Sequence, residues 1–343
     1  MTRDFSSPFW QRMFWAFLGG VAASAVVTAA VAEGGLALMV PAYFYPKPGG
    51  DWERLTAAAR RVPLVAILNP NSGPGSATVA DPEYVRAVQS LRQAGGRVTG
   101  YVSTRYAQRP IAEVNADVRR YHELYPLDGF FLDEMSNDGR AVSVNYYAEV
   151  CEEIRRLKPA YHVTGNPGTH TQERYLSRPT VDTLVTFEEG TGYPGYTPDT
   201  WNRRYPAHRF CHLLHSVVDA PALTNAVALA RKRNAGFLFV TDDLLPNPWD
   251  RLPVFWDNEV NLIESANRAA AESVPPRVDL RRRADGLGRL QLDGSAGRYI
   301  VARGPSLSEW LPLVTNLTFT GQMVFEPILW SAAPEVYFRA AVE

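Results

Sequence analysis

The sequence predicts an α/β fold: a (β/α)8 TIM barrel followed by a small C-terminal all-β, sandwich-like module. Three observations carry this. From Leu36 onward, short runs rich in Val, Ile, Leu and Phe alternate with longer stretches at helical spacing, the rhythm of a parallel sheet with crossover helices. Most of the short runs are continuously apolar, as strands covered on both faces require. Eight such units lie between residues 33 and 270, which fits a closed barrel, and no GxGxxG follows the first run to suggest an open doubly wound sheet.

Taken in order, the strands are expected at Leu36–Phe44, Leu64–Asn69, Arg97–Ser103, Gly129–Asp133, His162–Asn166, Thr183–Phe187, Arg209–Val217 and Gly236–Thr241. A helix over Asp51–Arg61 separates the first two. The next begins at Asp81-Pro82-Glu83, where the aspartate caps, the proline takes the first helical position and an acid follows in the first turn. Further helices are expected over Ile111–Tyr125, Val144–Lys158, Ala220–Asn234 behind an Asp219 cap, and Pro253–Ala269; those after the fifth and sixth strands are short. A polar stretch with Pro275-Pro276 and Arg281-Arg282-Arg283 marks a linker at 271–285, and short β-like runs separated by Gly, Ser and Pro fill 286–343.

The first 32 residues stand apart. An apolar, alanine-rich block from Met13 to Ala32 follows Arg3 and Arg12 and closes on Ala30-Val31-Ala32, the small-x-small pattern of a secretory signal cleaved before Glu33. The competing reading is a retained membrane anchor, since the block is long enough to span a bilayer. The near absence of a linker before Leu36 favours cleavage, and with it a secreted, periplasmic or cell-envelope location.

Composition sets limits on partners. The 343 residues are 46% hydrophobic and 21% charged, which excludes extensive disorder. The net charge is −1, and loss of Arg3, Asp4 and Arg12 with the signal makes it −2, so there is no basic excess for nucleic acid. Cys151 and Cys211 are too few for a disulfide framework and read as small buried hydrophobes. No HxH or HExxH spacing indicates a metal.

A barrel enzyme carries its site at the C-terminal ends of the strands. Those ends are polar here: Tyr43, then Asn69, then Tyr101 with Tyr106 nearby, Asp133-Glu134, Asn166, Glu188-Glu189, His215, and Asp242 with Trp249 beyond it. Acidic pairs on the fourth and sixth strands meet the requirement of glycoside hydrolysis, an acid to protonate the leaving oxygen and a carboxylate to act as nucleophile or base. Tyrosine and tryptophan faces suit sugar rings, and amides suit hydroxyls. Asp242 serves equally well as a clamp on the last barrel turn, and His215 as a core histidine. Adjacent residues on a strand face opposite ways, so one member of each acidic pair is expected to face the barrel mouth.

Seven segments in order, "VPAYFYP", "ILNPNSGPG", "GYVSTRYAQRP", "GFFLDEMSND", "VTGNPGT", "VTFEEGTGY" and "FVTDDLLPNPWDRLP", resemble the spherulin-4 family (spherulation-specific family 4), classified as glycoside hydrolase family 135. The resemblance covers Leu36 to Glu264. It implies a (β/α)8 fold and endo-hydrolysis of an α-1,4-linked, N-acetylgalactosamine-containing exopolysaccharide. Carried over by motif, the catalytic residues are Asp133 as nucleophile or stabiliser, Glu134 assisting, and Glu188 as general acid/base; a related barrel family with the same strand-four Asp and strand-six Glu works with retention, which carboxyl oxygens about 5 Å apart would support here, whereas about 9 Å would favour inversion. Glu189 departs from the small or polar residue expected beside Glu188. The expected partner is a polysaccharide substrate held by a monomer, with no cofactor, no nucleic acid and no stable membrane insertion after signal cleavage. The competing function is a non-catalytic carbohydrate-binding or cell-envelope structural protein on the same barrel. A carbohydrate esterase is disfavoured by the missing metal-ligand set.

Overall fold

The computed structural model describes residues 35–178, 180–273, 277–282, 288–304, 311–328 and 337–342. The expected signal at 1–32 lies outside them. Eight parallel strands close into a barrel in sequence order: β1 (Ala37–Ala42), β2 (Leu64–Leu68), β3 (Arg97–Ser103), β4 (Gly129–Asp133), β5 (His162–Gly165), β6 (Thr183–Glu189), β7 (Phe210–Leu214) and β8 (Phe237–Val240). The helices between them are α1 (Asp51–Ala59), α2 (Pro82–Gln93), α3 (Ile111–Leu124), α4 (Ala141–Leu157), the single-turn α5 (Arg174–Ser177), α6 (Ala220–Lys232) and α7 (Trp256–Ser273), with three 3-10 turns between β6 and β7. Among the described residues no helix is long and apolar enough to cross a membrane.

Local chemistry explains the boundaries. Asp81 accepts from the Glu83 N–H at 2.8 Å with Pro82 at the first position of α2, and Asp219 accepts from the Ala222 N–H at 2.7 Å to start α6. Helix α4 begins three residues before Val144, because Asp138 accepts from the Arg140 N–H at 3.0 Å and turns the chain early. Strand β7 stops at Leu214, short of the expected Val217, where Ser216 takes a positive φ of 59°. Gly129 at the start of β4 admits no side chain, since a Cβ there would lie 2.0 Å from the His162 carbonyl oxygen.

The core lies between the sheet and its helices, where Trp52, Tyr121, Tyr147, Phe130, Phe239 and Trp256 are fully buried. Cys151 and Cys211 are buried free thiols there. The barrel closes by a short ladder: β1 and β8 register only at Ala37 with Phe237 and Leu38 with Leu238. Beyond it, Glu259 of α7, fully buried, accepts the Val240 N–H at 2.8 Å. Burial raises its pKa well above the carboxylate range, so the folded protein keeps it protonated. The unfolded chain ionises this group above its ordinary pKa of about 4.3, so its contribution to stability is full below that pH and is lost as pH rises toward the folded value. Glu259→Gln should flatten that decline. Melting temperatures from pH 4 to 9 should show the variant gaining on the wild type as pH rises, and parallel curves would refute the assignment.

The C-terminal module is all-β among the described residues. Strand β10 (Gly288–Gly304) pairs antiparallel with β11 (Leu311–Ile328) along one edge and with β9 (Arg277–Arg282) and β12 (Tyr337–Val342) along the other. Among the described residues these strands form one four-stranded sheet. Strand β9 occupies part of the stretch expected to be a linker.

Candidate active site

Four neighbouring strand ends converge. The register places Ser103 of β3 beside Asp133 of β4, and Leu132 beside Gly165 of β5, so Asn166 emerges next to Asp133. Strand β6 carries a bulge, with Val185 opposite Cys211 but Phe187 opposite His212, and Thr186 is the extra residue. A bulge bends its strand and re-aims the residues beyond it. Here Glu188, rather than Glu189, meets Asn166.

The result is a carboxylate pair joined by one amide. Asn166 Nδ2 donates to Asp133 Oδ1 and to Glu188 Oε2, each at 2.6 Å, so these two oxygens are at most twice that, 5.2 Å, apart. The backbone holds the bridge in place. Asn166 N–H donates to the Leu132 carbonyl, Met135 N–H to the Asn166 carbonyl and Glu188 N–H to the Gly168 carbonyl, all at 2.8 Å. Gly168 has a φ of +65°, which favours glycine, and a Cβ on it would come 3.4 Å from Glu188 Cβ.

Electrostatics separate the two acids. Burial first, then the charge of Asp133, raises Glu188 to a pKa of about 7, against the opposing bond from Asn166. Burial also raises Asp133, but bonds from the Tyr101 hydroxyl, the Glu134 N–H and Asn166 stabilise its charged form. Two close carboxylates in a poorly solvated site share a proton, and at mildly acidic pH it rests on Glu188. Tyr43 packs edge-on to Tyr101 at 5.5 Å, and burial, then the charge of Asp133, raises the pKa of each phenol, which keeps them as neutral donors.

Glu134 lies beside this pair without joining the bridge. Its φ of +52° turns the chain out of β4. Its side chain accepts from the Ser103 hydroxyl, and its carbonyl accepts from the Tyr106 N–H at 2.7 Å and the Thr104 hydroxyl at 2.9 Å. Left-handed backbone at Arg105, Tyr106 and Ala107 continues into the β3–α3 loop, a concentration of strain of the kind found at functional sites.

A cleft of about 630 Å³ opens over the pair. Tyr106, 59% exposed, lines it from the β3–α3 loop, and Glu189, His215 and Trp249 line it from the ends of β6, β7 and the segment after β8. Trp249 is only 7% exposed and packs its ring 6.0 Å from His215 and 5.9 Å from Phe239, so it walls the cleft more than it offers an open face. Four expected substrate contacts are not among its lining residues: Tyr43 and Tyr101, which pack beside Asp133, and Asn69 and Asp242. Asn69 Oδ1 accepts from the Gly73 N–H at 2.8 Å and closes its own turn. Asp242 is clamped by Arg251 at 3.0 and 3.1 Å and accepts the Val254 N–H; burial opposes its ionisation, yet these bonds outweigh it and lower the pKa. The clamp is the stronger assignment for Asp242.

Other lining residues escaped sequence reasoning: Met135, Asn137, Pro167, Thr169, and Leu245, Pro246 and Pro248 of the β8–α7 loop. Their only signal is their place just beyond strand ends four, five and eight.

Residues 37–263 match the model of spherulation-specific family 4. Spherulin-4 of Physarum polycephalum is 32% identical over 215 residues, 60% of this chain and 63% of the relative, so the chain spans less than two thirds of that protein's length. Among known structures, Sph3 of Aspergillus clavatus in complex with GalNAc is similar, with 28% identity and a TM-score of 0.57 over 67% of this chain and 98% of the other.

Proposed function

Because the chain belongs to spherulation-specific family 4, and one amide holds an oxygen of Asp133 and an oxygen of Glu188 within 5.2 Å of each other, we propose that it is a glycoside hydrolase acting on an amino-sugar exopolysaccharide. The carrying observation is that pair. Retaining glycosidases place their carboxyl groups about 5–5.5 Å apart, whereas inverting ones leave about 6.5–9.5 Å for a water. The spacing favours retention.

In the first step, protonated Glu188 gives its proton to the glycosidic oxygen as the C1–O bond breaks. Asp133, ionised, attacks C1 from the opposite face and forms a glycosyl-enzyme. In the second, the Glu188 carboxylate takes a proton from water, whose oxygen displaces Asp133 from C1. Asn166 holds the two oxygens throughout. The Tyr101 hydroxyl steadies Asp133, and Glu134, tied to Ser103, assists from the rim.

The similarity to a protein bound to GalNAc supports a polymer containing N-acetylgalactosamine, α-1,4-linked as the family resemblance implies, cleaved internally. The N-terminal 32 residues support export. The test is product analysis by mass spectrometry on galactosaminogalactan-, Pel- and chitin-type polymers, with the anomer followed by NMR. Oligosaccharides of one linkage with retained configuration are the expected result. Binding without release from any of them would move the protein to the carbohydrate-binding class.

A further inference from the structure

The turn that carries Asp133 and Glu134 is anchored from behind. Thr104, directly after β3, holds its hydroxyl 2.9 Å from the carbonyls of both acids and 2.9 Å from the Tyr147 hydroxyl of α4. Tyr147 in turn accepts the Ser136 N–H at 2.9 Å. Carbonyls only accept, so the Thr104 proton points at them and the Tyr147 proton points at Thr104 Oγ1. The result is a directed chain, Ser136 N–H to Tyr147 O–H to Thr104 O–H to the strand-four carbonyls. Thr104, Ser136 and Tyr147 are buried, and away from water bonds in such a line strengthen one another. Burial raises the Tyr147 pKa, so the phenol keeps the proton the chain needs.

The chain closes on a strained turn. Glu134 has a φ of +52°, a conformation that a glutamate keeps only where its surroundings impose it. In this turn the Asp133 carboxylate reaches Asn166, the Glu134 carboxylate reaches Ser103, and the Glu134 N–H bonds to Asp133. Thr104, Ser136 and Tyr147 do not line the cleft, so their effect on the reaction passes through the turn. The groups that face Asp133 itself are Tyr43, Tyr101, Glu134, Asn166 and Glu188.

We propose that Tyr147 is a positioning residue: its hydroxyl, acting through Thr104, holds the strand-four turn in the left-handed form that aims Asp133 at the reacting carbon. This rests on the reading of the cleft as a glycosidase site.

Tyr147→Phe keeps the ring and its edge-on packing against Tyr146 and Tyr175 and removes only the hydroxyl. On a galactosaminogalactan-type polymer kcat should fall about tenfold with KM unchanged. The acid limb of the pH profile should move upward, because the charged form of Asp133 loses the Glu134 N–H, while the alkaline limb set by Glu188 stays at about 7. Thr104→Val should do the same, Thr104→Ser should restore the acid limb, and the double variant Tyr147→Phe, Thr104→Val should be no worse than Thr104→Val alone. Tyr146, whose hydroxyl donates instead to the Arg109 carbonyl at 2.8 Å, provides the control: Tyr146→Phe should leave the acid limb in place. Carboxylate NMR titration of Asp133, assigned against Asp133→Asn, reads the same upward movement without turnover. An unmoved Asp133 titration in folded Tyr147→Phe, additive losses in the double variant, or an equal movement in Tyr146→Phe overturns the proposal. If the wild type cleaves the polymer and Tyr147→Phe matches it, this proposal falls and the hydrolase reading stands. If nothing is cleaved but the Asp133 titration moves in Tyr147→Phe, the hydrolase reading falls and the hold of Tyr147 on the turn stands.

Discussion

Glu188→Gln should lower kcat on the polymer by about 10³-fold with little change in binding, the scale expected when a general acid is removed and the site is otherwise kept. The glutamine carbonyl can still accept from Asn166 Nδ2, so the bridge to Asp133 survives. An amide has no acidic proton to give the leaving oxygen. The pH profile provides the sharper check. Glu188 must be protonated, so wild-type kcat/KM should fall as pH rises through about 7, the value to which burial and then the Asp133 charge raise it. Asp133 must be ionised, so activity should also fall as pH drops through a value that burial holds above the ordinary aspartate range. The two limbs belong to the coupled pair and enclose a mildly acidic window. Residual activity of Glu188→Gln should lack the alkaline limb. Asp133→Asn should lose turnover to a similar extent. A variant keeping more than a tenth of wild-type kcat, or a wild-type profile flat through pH 7 to 8, would remove Glu188 from its role.

The barrel is readable because its strands are covered on both faces, which forces continuous apolar runs such as Leu64–Leu68 and Gly129–Leu132. Helix starts are readable where the signal is local, as at Asp81-Pro82 and Asp219. The features the sequence does not disclose depend on partners distant along the chain. Thr186 bulges because of its pairing with β7, and that bulge decides between Glu188 and Glu189. Asp242 reads as a strand-end acid like any other until Arg251 closes on it. Asn69 and Asn166 each follow directly on a strand, β2 and β5, in similar settings, yet one folds back on its own turn while the other spans two acids. The acids themselves are legible from their place at strand ends; the group that sets their spacing reads, on sequence alone, as a substrate contact.

Asn166→Ala should therefore behave as the loss of a positioning group. Its amide donates to both acids and lowers the pKa of each, so its removal should move both limbs of the pH profile upward. The sign comes from the charged forms losing a donor: Glu188 holds its proton to higher pH, and Asp133 ionises later. At the new optimum kcat should remain about 10²-fold below wild type, the cost of letting reacting groups drift by about an ångström. A contact made only to substrate would raise KM and leave both limbs in place. Asn166→Asp keeps the shape and removes the donor, setting a third acid beside two that already repel, so turnover should fall further than in the alanine variant. If the aspartate variant kept the wild-type profile, the oxygens of Asp133 and Glu188 would have to be held by something other than this amide, and the spacing that favours retention would lose its cause.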